Sequence, residues 1–159
     1  MMDKWAWAAY PPTYRAREIA LLADWLLAGE SGSIIGLAGS GKSNLLGFLG
    51  HWPEALQSYW RDRPFKLLLV QVDLNDLPGN DLASLYRLIL RSLYESRRGL
   101  ATFEPALVTA VETLYRKVED KPDSFAAQSA LREALFLFQE KKLRLVLMLD
   151  PFRLLLPDG

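Results

Sequence analysis

Residues 36–43 read Gly36-Leu37-Ala38-Gly39-Ser40-Gly41-Lys42-Ser43, a glycine-rich turn closed by a lysine and a hydroxyl. Before it stands the apolar run Ser33-Ile34-Ile35-Gly36-Leu37, β-branched at its centre. After it, Leu45, Leu46, Phe48 and Leu49 give an apolar helix start. A run of this kind has the character of a buried parallel strand. A strand that feeds a helix through a tight turn commits the chain to the α/β class, in which parallel strands are joined by right-handed helical crossovers.

The turn fits G-x-x-x-x-G-K-[ST] at every fixed position. Each fixed residue has its own chemistry. Glycines allow successive backbone N–H groups to curl around a phosphate, and the following helix adds the positive end of its dipole. Lys42 has the reach for β- and γ-phosphates, and the Ser43 hydroxyl is suited to a Mg²⁺ bridging them. The candidate nucleotide-binding set is therefore Gly36, Gly39, Ser40, Gly41, Lys42, Ser43 and Asn44, with ATP and Mg²⁺ as the expected cofactors.

Strands and helices alternate along the rest of the chain. Residues 1–14 end in Tyr10-Pro11-Pro12-Thr13-Tyr14 and read as an extended N-terminal arm. Ile19, Leu22, Ala23, Leu26 and Leu27 recur at helical spacing until Gly29. The helix behind the glycine turn is expected to stop near Gly50, ahead of Pro53. Residues 65–72 predict a second strand, closed by the turn-rich segment from Asp73 to Gly79. Three helical patterns follow, over 82–93, over 107–118 behind Pro105, and over 125–138 with Ser124 as the expected N-cap. They form a helical insertion near 79–140, longer than one crossover needs. Leu143 to Leu149 is a third strand, ending at Asp150.

Composition narrows the function. The 159 residues carry 19 Lys plus Arg against 19 Asp plus Glu, so no net basic field points to nucleic acid. The absence of cysteine excludes disulfides, thiolate metal sites and a cysteine nucleophile. No stretch has the length of a membrane span, and the N-terminal apolar run is too short for a signal peptide, so the expected location is the cytoplasm.

Val146-Leu147-Met148-Leu149-Asp150 is four apolar residues followed by an acid. A carboxylate at the C-terminal end of a buried strand is suited to hold a hydrated Mg²⁺, which makes Ser43 and Asp150 the candidate metal ligands. Asp residues in such places also cap the turn that follows.

Tyr14-Arg15-Ala16-Arg17-Glu18, the phosphate loop, and Leu149-Asp150-Pro151-Phe152-Arg153-Leu154-Leu155 together resemble the AAA+/STAND group of P-loop ATPases, in its origin-recognition-like and bacterial STAND branches. The likeness spans nearly the whole chain. It implies a three-layer αβα P-loop domain over 15–159 with a mainly parallel sheet in the order 5-1-4-3-2, and it places Tyr10, Pro11 and Tyr14 beside the adenine. Packing of the arm's aromatics onto the domain is the alternative role. The resemblance also implies Asp73 at the place from which relatives face the γ-phosphate, the candidate for positioning water.

Two departures shape the functional expectation. Where the family carries a glutamate after the metal-binding Asp, this chain has Pro151, which cannot accept a proton. The family's later strands and helical lid are absent, so the domain is expected to be incomplete, a fragment of a longer protein whose partner is another protein or its own missing C-terminal domains. The expected function is Mg·ATP binding by a regulatory ATPase module, with hydrolysis belonging to the full-length protein. The alternatives are a non-catalytic nucleotide-dependent interaction module or inactive fragment, and a small-molecule phosphotransferase, for which the chain carries no acceptor signature.

Overall fold

The computed structural model describes residues 11, 14–30, 32, 41–51, 54–60, 66–121 and 123–151. It is an α/β structure, mostly helical, with a parallel sheet of two strands among the described residues. The chain divides into two units, Met1–Phe65 and Lys66–Gly159.

In the first unit α1 spans Ala16–Ala28, α2 Lys42–His51 and α3 Glu54–Gln57, with a 3₁₀ turn at Ser58–Trp60. Gly29 ends α1 as the sequence predicts. Its φ of 76° is left-handed, open to glycine at no steric cost, and its N–H donates to the Leu26 carbonyl. Trp60 is buried, and its indole Nε1–H donates to the Ala23 carbonyl at 3.1 Å, which ties the 3₁₀ turn to α1. Tyr59 does the same nearer the start of α1, its hydroxyl donating to the Ala16 carbonyl at 3.0 Å. The expected strand at 33–37 lies outside the described residues.

In the second unit β1 (Lys66–Asp73) and β2 (Leu143–Asp150) pair in parallel without a bulge, from Lys66 opposite Leu143 to Asp73 opposite Asp150. Leu68, Val70 and Val72 therefore share a face with Leu145, Leu147 and Leu149. That face joins the core formed with α4 (Leu82–Glu95), α5 (Arg97–Phe103), α6 (Pro105–Val118) and α7 (Ser124–Glu140). Helices α4 and α5 contact β1, α7 contacts β2, and α6 packs on α4, α5 and α7. Leu90, Leu93, Leu100 and Ala134 at the centre of this cluster are fully buried. Leu67 and Met148, on the other sheet face, are buried as well.

Helices α4 and α7 are capped by aspartates. Asp81 accepts from the Ser84 N–H at 2.7 Å and from its hydroxyl at 2.8 Å, and Asp123 accepts from the Phe125 N–H at 2.9 Å. The cap of α7 is thus Asp123, one residue before the Ser124 expected from sequence. Helix α5 has no counterpart in the periodicity, because seven residues around Gly99 are too few to establish it. Its Gly99 approaches β1 closely, since a Cβ there would stand 3.4 Å from the Leu68 side chain.

Two outcomes follow for stability. Truncating Leu90 to Ala leaves a cavity at the centre of the helical layer and is expected to cost about 2–5 kcal/mol, measured by denaturant unfolding. The hydrogen bonds from Ser84 hold the Asp81 carboxyl below its ordinary value. A depressed folded pKa gives stability that is present above the ordinary carboxylate range and lost as pH falls through the depressed value. Asp81→Ala should therefore melt below the wild type at neutral pH, and the gap should close in acid.

Candidate functional site

Helix α2 begins at Lys42, directly behind Gly41, so the last fixed positions of the glycine turn fall on a helix N-terminus as the motif requires. Gly41 has φ 87°, a left-handed conformation that side chains with a Cβ rarely adopt. The Leu45 N–H donates to the Gly41 carbonyl at 3.0 Å, the first bond of the helix. The N–H groups ahead of Leu45 have no intrahelical acceptor and are oriented for an anion. No acidic residue occupies the first turn to compete for them. Asn44 is half-buried. Gly36, Gly39 and Ser40 lie outside the described residues, and of Lys42 and Ser43 only the backbone is described.

The structure adds a residue that sequence reasoning did not single out. Arg15 places its guanidinium against Gly41: a Cβ built on that glycine would stand 2.7 Å from Arg15 Nη2. Arg15 is itself left-handed, with φ 45° and ψ 40°, where it precedes α1. For a non-glycine residue that conformation is uncommon. A guanidinium beside a glycine turn and a helix N-terminus adds positive charge and planar hydrogen-bond donors at the place where the motif expects phosphates. Its only sequence signal was membership of the Tyr14-to-Glu18 segment. Tyr14 is half-buried and packs edge-on against Phe48 of α2, with ring centroids 5.0 Å apart at 65°. Packing onto the domain is one of the two roles that the sequence offers for this ring, and adenine contact is the other.

In the second unit, Asp73 and Asp150 are register partners at the C-terminal ends of adjacent parallel strands. Ligands of open α/β sheets bind outside that end of the strands. Asp73 is exposed, and its Oδ1 accepts from the Asn75 N–H at 3.0 Å, closing the turn after β1. Asp150 is half-buried and precedes Pro151. Among the described residues no group of three or more His, Cys, Asp and Glu side chains is placed to hold a metal ion.

No family model, curated protein or solved structure matches the chain. Among the described residues no helix is long and apolar enough to cross a membrane.

The turn at Gly41 yields a direct check. Gly41→Ala forces an L side chain into the left-handed region and pushes a methyl into Arg15, so it should lower stability by about 1–2 kcal/mol from the backbone alone. In an Arg15→Ala background part of the loss should be recovered and the backbone part should remain, as read by thermal unfolding of the four proteins.

Proposed function

We propose that this chain is a Mg·ATP-binding module of P-loop type, with a three-layer αβα architecture, serving a regulatory ATPase of the AAA+/STAND kind. The reading is carried by one observation: the sequence G-x-x-x-x-G-K-S runs into helix α2, with Gly41 left-handed at the junction. In this reading the loop amides and Lys42 bind the phosphates, and Ser43 and Asp150 are the protein ligands of the Mg²⁺. Asn44 and Tyr14 complete the nucleotide contacts, and Arg15 contributes charge at the phosphate end. The bound metal would supply neutralisation of the phosphate charge.

Binding is separated from hydrolysis by Pro151. A water attacking a γ-phosphate needs a group to orient it and accept its proton. Proline offers none, and Asp73, the other candidate, spends one carboxylate oxygen on the Asn75 N–H. These observations favour nucleotide-dependent interaction with a protein partner or with further domains of the same protein over turnover by this chain. The nucleotide, rather than a nucleic acid, is the ligand that the neutral net charge and the glycine turn support.

Calorimetric titration of the chain with Mg·ATP tests the reading. Saturable binding is expected, weakened roughly 10- to 100-fold in Lys42→Ala because a charged hydrogen bond to phosphate is lost. Phosphate release should stay at the background rate in both proteins. Absence of binding by the wild type overturns the proposal, and turnover that depends on Lys42 overturns the separation of binding from hydrolysis.

A further inference from the structure

A cleft of about 420 Å³ lies in the second unit, lined by α4, α6 and the turn after β1. Arg87, Leu88 and Arg91 come from one stripe of α4, at helical spacing. Tyr115 comes from α6, Asp120 from the turn behind that helix, and Asp76 from the turn after β1.

The cleft is built before any ligand arrives. Arg87 is anchored by donating to the Lys121 carbonyl. Tyr115 is stacked on Tyr94, with centroids 5.3 Å apart at 21°, and Tyr94 is held in turn by the Arg97 guanidinium 4.5 Å from its ring centre. Arg91 commits only its Nε, which donates to Glu95 at 3.0 Å. Among the described residues its two Nη groups have no acceptor, and neither Asp76 nor Asp120 has an ion-pair or side-chain hydrogen-bond partner. Asp76 lies close enough for its charge to favour the cationic form of Arg91, yet the two form no salt bridge.

An open cleft thus carries a fork of guanidinium donors, two carboxylates with spare acceptors beside a third, Glu119, that is paired with Arg116, and an aromatic ring beside a leucine. A carboxylate suits the paired Nη groups of Arg91, and an ammonium suits Asp76 and Asp120. An apolar or aromatic group would lie on Tyr115 and Leu88. The volume falls in the range of small-molecule sites and exceeds what the smallest amino acids fill. We propose that this cleft binds a zwitterion of the amino-acid class, an α-amino acid with a large apolar side chain or a molecule of dipeptide size. The site is independent of the nucleotide reading, since no phosphate-loop residue lines it.

Amide-resolved NMR titration of the full chain with phenylalanine, leucine and the dipeptide phenylalanyl-leucine tests the proposal. At least one zwitterion should give saturable shifts confined to residues 76–78, 84–91 and 115–120. Arg91→Gln and Asp120→Asn should each weaken it about tenfold or more, as expected for loss of a charge-assisted hydrogen bond. Both positions are exposed, so the variants should keep the wild-type melting point. Phenethylamine, without the carboxylate, and phenylpropionate, without the ammonium, should each bind more weakly than phenylalanine. The proposal is overturned if no zwitterion gives saturable shifts in these segments, or if both variants bind as the wild type does. It is equally overturned if either singly charged analogue matches phenylalanine, which would make the cleft a plain cation or anion site.

Discussion

The in-register parallel pairing of β1 with β2 is the constraint on which the second unit depends. The strands are separated in sequence by all four helices, so the pairing is reached only after a long crossover has been laid down, at an entropic cost that local contacts do not offset. What fixes the register is the pattern of apolar residues. Leu68, Val70 and Val72 must lie beside Leu145, Leu147 and Leu149 for one sheet face to meet the helical layer. A slip of one residue would turn that set to the other face. The same register brings Asp73 beside Asp150 at the end of the sheet, so the placement of two candidate site residues is a by-product of core packing.

At the candidate phosphate loop the constraint is electrostatic. Helix α2 opens with a lysine and no acid, its first amides have no intrahelical acceptor, and the Arg15 guanidinium lies against the glycine that precedes it. A triphosphate with its metal is the anion that we propose for this loop, on the strength of its sequence. This arrangement supports binding. It says nothing in favour of turnover, for which the chain offers Pro151 where a proton acceptor is needed.

Much of the fold was legible in the sequence because its signals are local. The apolar run in Lys66–Asp73, the apolar run before Asp150, the helical periods over α4, α6 and α7, and the glycine that stops α1 each report on a single element. Features set by tertiary contact were not legible. Helix α5 is too short to show a period and is held by burial of Leu100 and close approach to β1. Asp123 and Ser124 are both good caps, and only the backbone path decides between them. Arg15 is one of two arginines in its segment, and nothing in the spacing tells which of them reaches Gly41. The cleft on α4 and α6 joins residues about 30 positions apart and has no sequence motif. The strand at 33–37 and the loop from Gly36 to Ser40 lie outside the described residues, so their reading stays with the motif.

The central claim is that the turn into α2 is a phosphate cradle, and the backbone amides of that turn report on it most directly. Amide NMR of the uniformly labelled chain, with and without Mg·ATP, should show large downfield shifts at Gly39, Gly41 and Lys42 as their N–H groups take phosphate oxygens as acceptors. Those shifts should be lost when adenosine replaces ATP. Unchanged amides at these three residues, with or without shifts elsewhere, would contradict the account.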